Sequence, residues 1–208
     1  MSMLNKIVIK IFEVLPTTLK NYMRAIYYSI PFTKGDGYDP EFQYKSTDLE
    51  LRKWVNDVYT KHGSEQRRSI LLSISRFCHI NRPITGYYFE FGCHEANTIR
   101  MAYDSFRHLH DLTYVAFDSF EGLPEISKID KQDIWNKGKL KTSEEEFISI
   151  VTCHGIPKEK LITVKGFYKD SLSLKLKEKL LPTKAAVVYI DCDLYASTVS
   201  VLKFVKDF

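Results

Sequence analysis

An apolar run that ends in two aspartates is the feature that most constrains this chain. The run VVYI at residues 187–190 is followed at once by Asp191 and, two residues later, by Asp193. A short run of β-branched and aromatic residues is typical of a strand buried on both faces of a parallel sheet. In open α/β sheets, ligands bind beyond the carboxyl ends of the strands. The run therefore predicts a buried strand that delivers carboxylates to a binding site.

Two upstream segments follow the same pattern. One apolar run carries Glu90 near its end and is followed by Gly92, and the next run is followed by Asp118. Stretches with helical periodicity lie between the runs, and this alternation is typical of a parallel sheet covered by helices. We therefore predict an α/β fold with a doubly wound, mainly parallel sheet. Its strands are predicted over residues 87–91, 113–117, 161–164 and 185–190.

Helical periodicity predicts the elements that flank the sheet. In the helix that follows Ser64, four apolar residues fall on one face, which we expect to pack inward: Ile70, Leu71, Ile74 and Phe77. The other helices are predicted over residues 47–59 and 96–108, after a cap at Thr142 or Ser143, near 170–180, and from Ser197 or Thr198.

Composition and charge exclude some classes of function. The hydrophobic share of 44% in 208 residues is enough for a core. Residues 1–34 hold five basic residues and one acid, and the remaining 25 basic and 25 acidic residues cancel. The globular part is therefore neutral, which argues against a nucleic-acid-binding face. The four cysteines include no CxxC pair, which is typical of buried thiols in a reducing compartment such as the cytoplasm.

Residues 1–58 have a different character from the rest of the chain. Apolar residues at helical spacing precede Pro16, and a polar, turn-rich stretch covers 31–47, so we predict a helical arm followed by a lid or linker. Two roles for the arm remain open. It packs on the domain or on a second copy in a homodimer, or its basic residues within 1–30 lie on a membrane surface.

The segment DSFEGLP at 118–124 resembles the signature loop of the macrocin O-methyltransferase family, which consists of class I S-adenosylmethionine (SAM) methyltransferases. Further segments resemble the family in its order, namely YT at 59–60, SEQR at 64–67, EFG at 90–92, WNKG at 135–138, KGFYKDSL at 165–172 and DCDLYAST at 191–198. The resemblance covers about residues 59–202. It implies a Rossmann-like methyltransferase domain over 59–208 that binds SAM.

The resemblance also implies roles for individual residues. Glu90 and Gly92 would line the methionine end of SAM, and Asp118 would hold the ribose hydroxyls with Ser119 and Phe120 nearby. Gly166 and Phe167 would border the adenine. Asp191 would bind Mg²⁺ and so act in catalysis, because a hard divalent ion prefers oxygen ligands and can orient the acceptor hydroxyl.

Two departures from the family pattern affect these expectations. Ala96 and Asn97 stand where the family usually has two glycines. The family's remaining metal ligands follow a fifth strand, and the sequence ends at Phe208 before such a strand. We therefore expect the chain to be truncated at its C-terminus and its metal site to be incomplete.

The function predicted is a SAM-dependent O-methyltransferase that methylates a hydroxyl of a sugar or glycosylated metabolite. Two alternatives remain: a non-catalytic relative that kept the fold, and a nucleotide-binding enzyme on a similar sheet. Asp193 is either a second metal ligand or a helix cap. His94 is either a general base or an exposed loop residue.

Overall fold

The computed structural model describes residues 66–81 and 84–208. The predicted arm, the linker and the predicted helix over 47–59 lie outside these residues, so the expectations of membrane contact and of a homodimer stay predictions. Within the described residues, no helix is both long enough and apolar enough to cross a bilayer.

The described strands form one parallel sheet of four, in the order β3-β2-β1-β4. The strands are β1 (Thr85–Phe91), β2 (Asp111–Asp118), β3 (Leu161–Lys165) and β4 (Ala185–Ile190). At the carboxyl end of β1, Phe91 lies opposite Phe117 of β2 and Ile190 of β4. The last residues of these strands therefore share one edge of the sheet, as the sequence predicted, and the α/β prediction is confirmed.

Helices cover both faces of the sheet. They are α1 (66–81), α2 (Asn97–Phe106), α3 (Glu144–Cys153), α4 (Tyr168–Ser171), α5 (Leu174–Leu180) and α6 (Tyr195–Val205), with 3₁₀ turns at Lys128–Asp130 and Lys158–Lys160. On one face, α1 to α3 pack through Leu71, Ile99, Ala102, Phe106, Phe147 and Val151. On the other face, α5 and α6 pack through Leu180, Val201 and Phe204. This placement is the doubly wound arrangement.

The central strand β1 supplies side chains to both layers. Because side chains alternate along a strand, Tyr88 enters the first layer, and Phe89 and Phe91 enter the second. The rings of Phe91 and Phe117 stack with centroids 4.2 Å apart. Burial of one such ring contributes about 2 to 3 kcal/mol. These aromatic side chains hold the carboxyl ends of β1 and β2 in place directly below the loops that follow them.

The structure corrects three predictions about helices. The stretch 170–180 forms two helices, since the Ser173 side chain accepts a hydrogen bond from the Leu176 N–H and starts α5 separately. The helix α6 starts at Tyr195, two or three residues earlier than predicted. In α1, Leu71 is buried but Ile70 and Phe77 are 58% and 67% exposed, so only part of the predicted apolar face packs inward.

The predicted helix cap after residue 141 is confirmed at Ser143. Its side-chain oxygen accepts a hydrogen bond from the Glu146 N–H at 3.2 Å, and three glutamates occupy the first turn of α3. Acids in this position stabilise a helix through its dipole.

Candidate active site

A cavity of about 770 Å³ lies beyond the carboxyl ends of the strands. Loops that follow all four strands contribute to its walls. Six of the eight site residues predicted from the sequence line it: Gly92, Asp118, Ser119, Gly166, Phe167 and Asp191. The other two, Glu90 and Phe120, are buried beside it.

The turn after β1 depends on Gly92. Its φ of +86° is a left-handed conformation, and a Cβ on this residue would lie 2.3 Å from the carbonyl oxygen of Asp191. The Gly92 N–H donates to the Phe117 carbonyl at 3.0 Å, and the Asp191 N–H donates to the Phe91 carbonyl at 2.9 Å. The ends of β1, β2 and β4 are therefore held in close contact, and only glycine fits between them.

Asp118 organises two loops through its carboxylate. Its Oδ2 accepts hydrogen bonds from the backbone N–H groups of Cys93 at 2.7 Å and His94 at 3.2 Å. Its Oδ1 accepts from the Phe120 N–H at 2.8 Å. A carboxylate has about four acceptor positions, so these three bonds leave capacity for a ligand hydroxyl. The binding of ribose hydroxyls by Asp118 stays a prediction, and the sequence did not show these contacts with the backbone.

Backbone hydrogen bonds join the DSFEGLP segment to the WNKG segment and to Lys139, which follows it. The Leu123 N–H donates to the Lys139 carbonyl at 2.8 Å, and the Gly138 N–H donates to the Leu123 carbonyl at 2.9 Å. A Cβ on Gly122 would lie 2.5 Å from the carbonyl oxygens of both Gly138 and Lys139. These contacts explain why a glycine is required at that position, and they fold the loop back along the cavity wall.

Phe120 anchors this loop from below. Its φ is +55°, and its buried ring packs on Phe147 of α3 with centroids 5.3 Å apart. The resemblance implied that Phe120 lies near the ribose of SAM, and this stays a prediction. The structure places its ring in the hydrophobic core, because the left-handed backbone turns the side chain inward.

Glu90 is almost completely buried, at 1% exposure, between the cavity and the core. Its Oε2 accepts a hydrogen bond from the Tyr88 hydroxyl at 2.6 Å, and among the described residues its Oε1 has no hydrogen-bond partner. Burial raises the pKa of Glu90 to about 8; the charges of Asp191 and Asp118 add to this, and the Tyr88 hydroxyl opposes it. At neutral pH the side chain is therefore mainly a neutral acid below the cavity, rather than a charged group on its wall.

Asp191 and Asp193 both line the cavity and are exposed. No group of three or more histidine, cysteine, aspartate or glutamate side chains within residues 66–81 and 84–208 comes together as a metal site. Mg²⁺ takes an octahedral set of oxygen ligands and is usually held by one or two carboxylates together with water and substrate oxygens. Asp191 and Asp193 are two such carboxylates, but no third histidine, cysteine, aspartate or glutamate of the described residues joins them as a metal site, so the structure does not support the magnesium prediction.

His94 is half-buried rather than an exposed loop residue. Its Nδ1 lies 3.0 Å from the carbonyl oxygen of Leu140. A carbonyl only accepts hydrogen bonds, so this contact places the proton on Nδ1 and leaves Nε2 as an acceptor when the ring is neutral. The contact also ties the turn after β1 to the far end of the loop after β2.

Ala96 stands where the family usually has glycine, but its methyl group does not narrow the cavity. The residue has a φ of +62° and is fully buried in the first core layer. Asn97 does line the cavity, and its Oδ1 accepts a hydrogen bond from Arg100 at 2.6 Å. The departure from two glycines is therefore accommodated by the fold.

Some residues of the site were missed in the sequence. Arg67 of α1 and Thr98 of α2 line the cavity, and Asp130 contacts the start of α6. Arg67 lies in the SEQR segment, which was quoted for its resemblance and could have drawn attention to it. The sequence gives no local indication that Asp130 caps α6, since Tyr195 and Ala196 lie 65 and 66 residues away in the chain.

Comparison with known proteins gives one family and two structural neighbours. A family model described as Macrocin-O-methyltransferase (TylF) matches residues 86–207. The structure of CalS11, a calicheamicin methyltransferase, has a TM-score of 0.57 at 16% identity, over 93% of this chain and 75% of that chain. The structure of the O-methyltransferase NovP has a TM-score of 0.55 at 19% identity, over 91% of this chain and 78% of that chain. No curated protein sequence matches.

The structural neighbours share the fold, and the family match covers more than half of the chain. The chain therefore belongs to the macrocin O-methyltransferase family and is a methyltransferase.

Proposed function

We propose that this methyltransferase uses SAM and methylates a hydroxyl group of a sugar or glycosylated small molecule. The observation that carries the proposal is the cavity of about 770 Å³ at the carboxyl ends of the strands. Six residues assigned to the site from the family resemblance line this one cavity, which has the volume of a small-molecule site.

The residues that would hold SAM come from the ends of β1, β2 and β3. Gly92 lets the backbone approach the ligand closely, and Asp118 keeps acceptor capacity for the ribose hydroxyls. Gly166 is held by a 2.9 Å hydrogen bond from its N–H to the Asp118 carbonyl, and it places Phe167 beside the cavity as an apolar surface for the adenine. When bound, SAM supplies an electrophilic methyl group on a positively charged sulfur.

The acceptor side is assigned to the end of β4 and the loop after β2. Trp135 lines the cavity there, and a flat indole suits the C–H face of a sugar ring. The exposed carboxylate of Asp191 would accept a hydrogen bond from the acceptor hydroxyl and orient its oxygen toward the methyl group. When the acceptor oxygen gains the methyl group and the sulfur of SAM loses it, the hydroxyl proton would pass to this carboxylate or to water.

The proposal is tested by calorimetric titration with S-adenosylhomocysteine, with and without magnesium. Asp118→Ala is expected to weaken binding by at least about tenfold, because it removes a charge-assisted acceptor. Asp111→Ala, at the amino end of the same strand, is the matched control and is expected to bind normally. Asp191→Asn is expected to bind S-adenosylhomocysteine normally but to lose methyl transfer.

Failure of the folded wild-type chain to bind S-adenosylhomocysteine would contradict the proposal and favour a non-catalytic relative. A marked strengthening of binding by magnesium would instead support the magnesium prediction.

A further inference from the structure

The helix α6 is capped by a residue from a distant part of the chain. Its own N-cap residue, Leu194, has no side chain that can accept a hydrogen bond. The carboxylate of Asp130 takes this role, since its Oδ1 accepts from the Tyr195 N–H at 2.6 Å and its Oδ2 lies 3.5 Å from the Ala196 nitrogen. Two N–H groups of the first turn are thereby satisfied by one carboxylate.

Asp130 is held firmly in this position. It lies in the 3₁₀ turn Lys128–Asp130 and is 7% exposed. The Ser127 hydroxyl donates to its Oδ2 at 2.8 Å, which fixes the orientation of the carboxylate. A negative charge at the N-terminus of an eleven-residue helix is also favoured by the helix dipole.

This contact joins two walls of the cavity. The 3₁₀ turn belongs to the loop after β2, which lines the cavity through Leu123, Pro124, Trp135 and Leu140. The first turn of α6 directly follows the segment that carries Asp191 and Asp193. Two other hydrogen-bonded contacts of the loop lead elsewhere: Leu123 bonds within the loop to Gly138 and Lys139, and Leu140 contacts His94. Asp130 therefore connects the Trp135 loop to the first turn of α6 at the end of β4.

We propose that Asp130 is a positioning residue of the methyl-transfer site, which sets the separation between the Trp135 wall and the carboxylates after β4. The inference rests on the proposed function in assigning these two walls to the acceptor. It locates the determinant of acceptor fit in a buried residue that does not line the cavity, whereas SAM affinity depends on the Gly92 turn and Asp118.

The experiment uses Trp135 as a reporter in the full chain. The sequence has two tryptophans, so a Trp54→Phe background leaves Trp135 as the single fluorophore. In this background, Asp130→Ala and Asp130→Asn are compared with Asp133→Ala, which removes an exposed aspartate from the same loop. Two quantities are measured for each variant: acrylamide quenching of Trp135, and the affinity for S-adenosylhomocysteine by calorimetry.

Asp130→Ala is expected to raise the quenching constant of Trp135 about twofold, because the loop opens locally, and to leave the affinity for S-adenosylhomocysteine within about twofold. Asp130→Asn keeps one acceptor for the Tyr195 N–H and is expected to fall between Asp130→Ala and the background. Asp133→Ala is expected to match the background. If Asp130→Ala does not fold, Asp130→Asn carries the test with a smaller change in the same direction.

Equal quenching in the Asp130 and Asp133 variants would overturn the inference. A parallel loss of S-adenosylhomocysteine affinity and of overall stability in Asp130→Ala would also overturn it, since the residue would then support the whole fold. If the wild-type chain binds no S-adenosylhomocysteine, the proposed function fails, while the quenching comparison still decides whether Asp130 holds the loop.

Discussion

The carboxyl ends of β2 and β4 look alike in sequence but differ in structure. Each strand is an apolar run followed by an aspartate. Asp118 accepts three hydrogen bonds from backbone N–H groups, whereas the exposed carboxylate of Asp191 accepts none from the described residues. A carboxylate that is occupied by backbone donors organises the loops around it, and an unoccupied one is available to a ligand. The comparison separates the residue that builds the site from the one that we propose faces the acceptor.

The largest effect on stability is expected at Gly92, which lies between the carboxyl ends of β2 and β4. Gly92→Ala is expected to destabilise the fold by about 4 kcal/mol, because the new Cβ meets a backbone carbonyl in a left-handed conformation. Urea unfolding measures the change. Gly138→Ala is the matched control, since Gly138 also has a positive φ but has open space around it. Equal losses in the two variants would show that the strand ends move apart to admit the methyl group.

The next largest effect on stability concerns Glu90. Its strand β1 lies between β2, which ends at Asp118, and β4, which is followed by Asp191. The ordinary pKa of 4.5 is raised to about 8 in the fold. At a pH between these two pKa values, Glu90 is protonated in the native chain and deprotonated in the unfolded chain. The free energy of unfolding therefore falls as the pH rises, and the fall ends above about pH 8. From pH 5 to pH 7 the loss is about 2 to 3 kcal/mol.

Glu90→Gln is expected to remove this part of the pH dependence while keeping an oxygen for the Tyr88 hydroxyl. The measurement is urea unfolding at a series of pH values, with the exposed Glu121→Gln as control. An unchanged slope in Glu90→Gln would show that another group titrates in this range.

A smaller effect is expected at Asp118. Asp118→Ala leaves three backbone N–H groups without their acceptor, and the expected loss is about 2 kcal/mol, since these groups are only partly buried. Asp118→Asn keeps one acceptor oxygen and is expected to lose less. Thermal or urea unfolding distinguishes them. If both variants are as stable as the wild type, water replaces the carboxylate and the organising role of Asp118 is wrong.

The strands and the helix cap that depend on local sequence patterns were predicted correctly. Each strand was found within two residues of its bounds, because buried parallel strands are short apolar runs. The helix cap at Ser143 also followed from neighbouring residues. The start of α6 was missed because its cap is Asp130, which only the folded chain brings there. Alternation along β1 places Glu90 on the same face as Tyr88, but its burial depends on tertiary packing that the sequence pattern does not show. The inward position of Phe120 was missed because it depends on a left-handed backbone, which the pattern does not show either.

The smallest effect on stability is expected at Asp191, and it gives the sharpest test of the comparison. Asp191→Ala removes no described hydrogen bond of the carboxylate, so the free energy of unfolding at pH 5 is expected to change by less than about 0.5 kcal/mol. The charge of Asp191 raises the pKa of Glu90 more than that of Asp118 does. Its removal is therefore expected to lower the pKa of Glu90 and to move the upper end of the pH-dependent loss of stability to a lower pH. Urea unfolding between pH 5 and pH 9 measures both quantities. A loss at pH 5 as large as that of Asp118→Ala would mean that Asp191 also holds the fold together, and the two strand ends would then share one role.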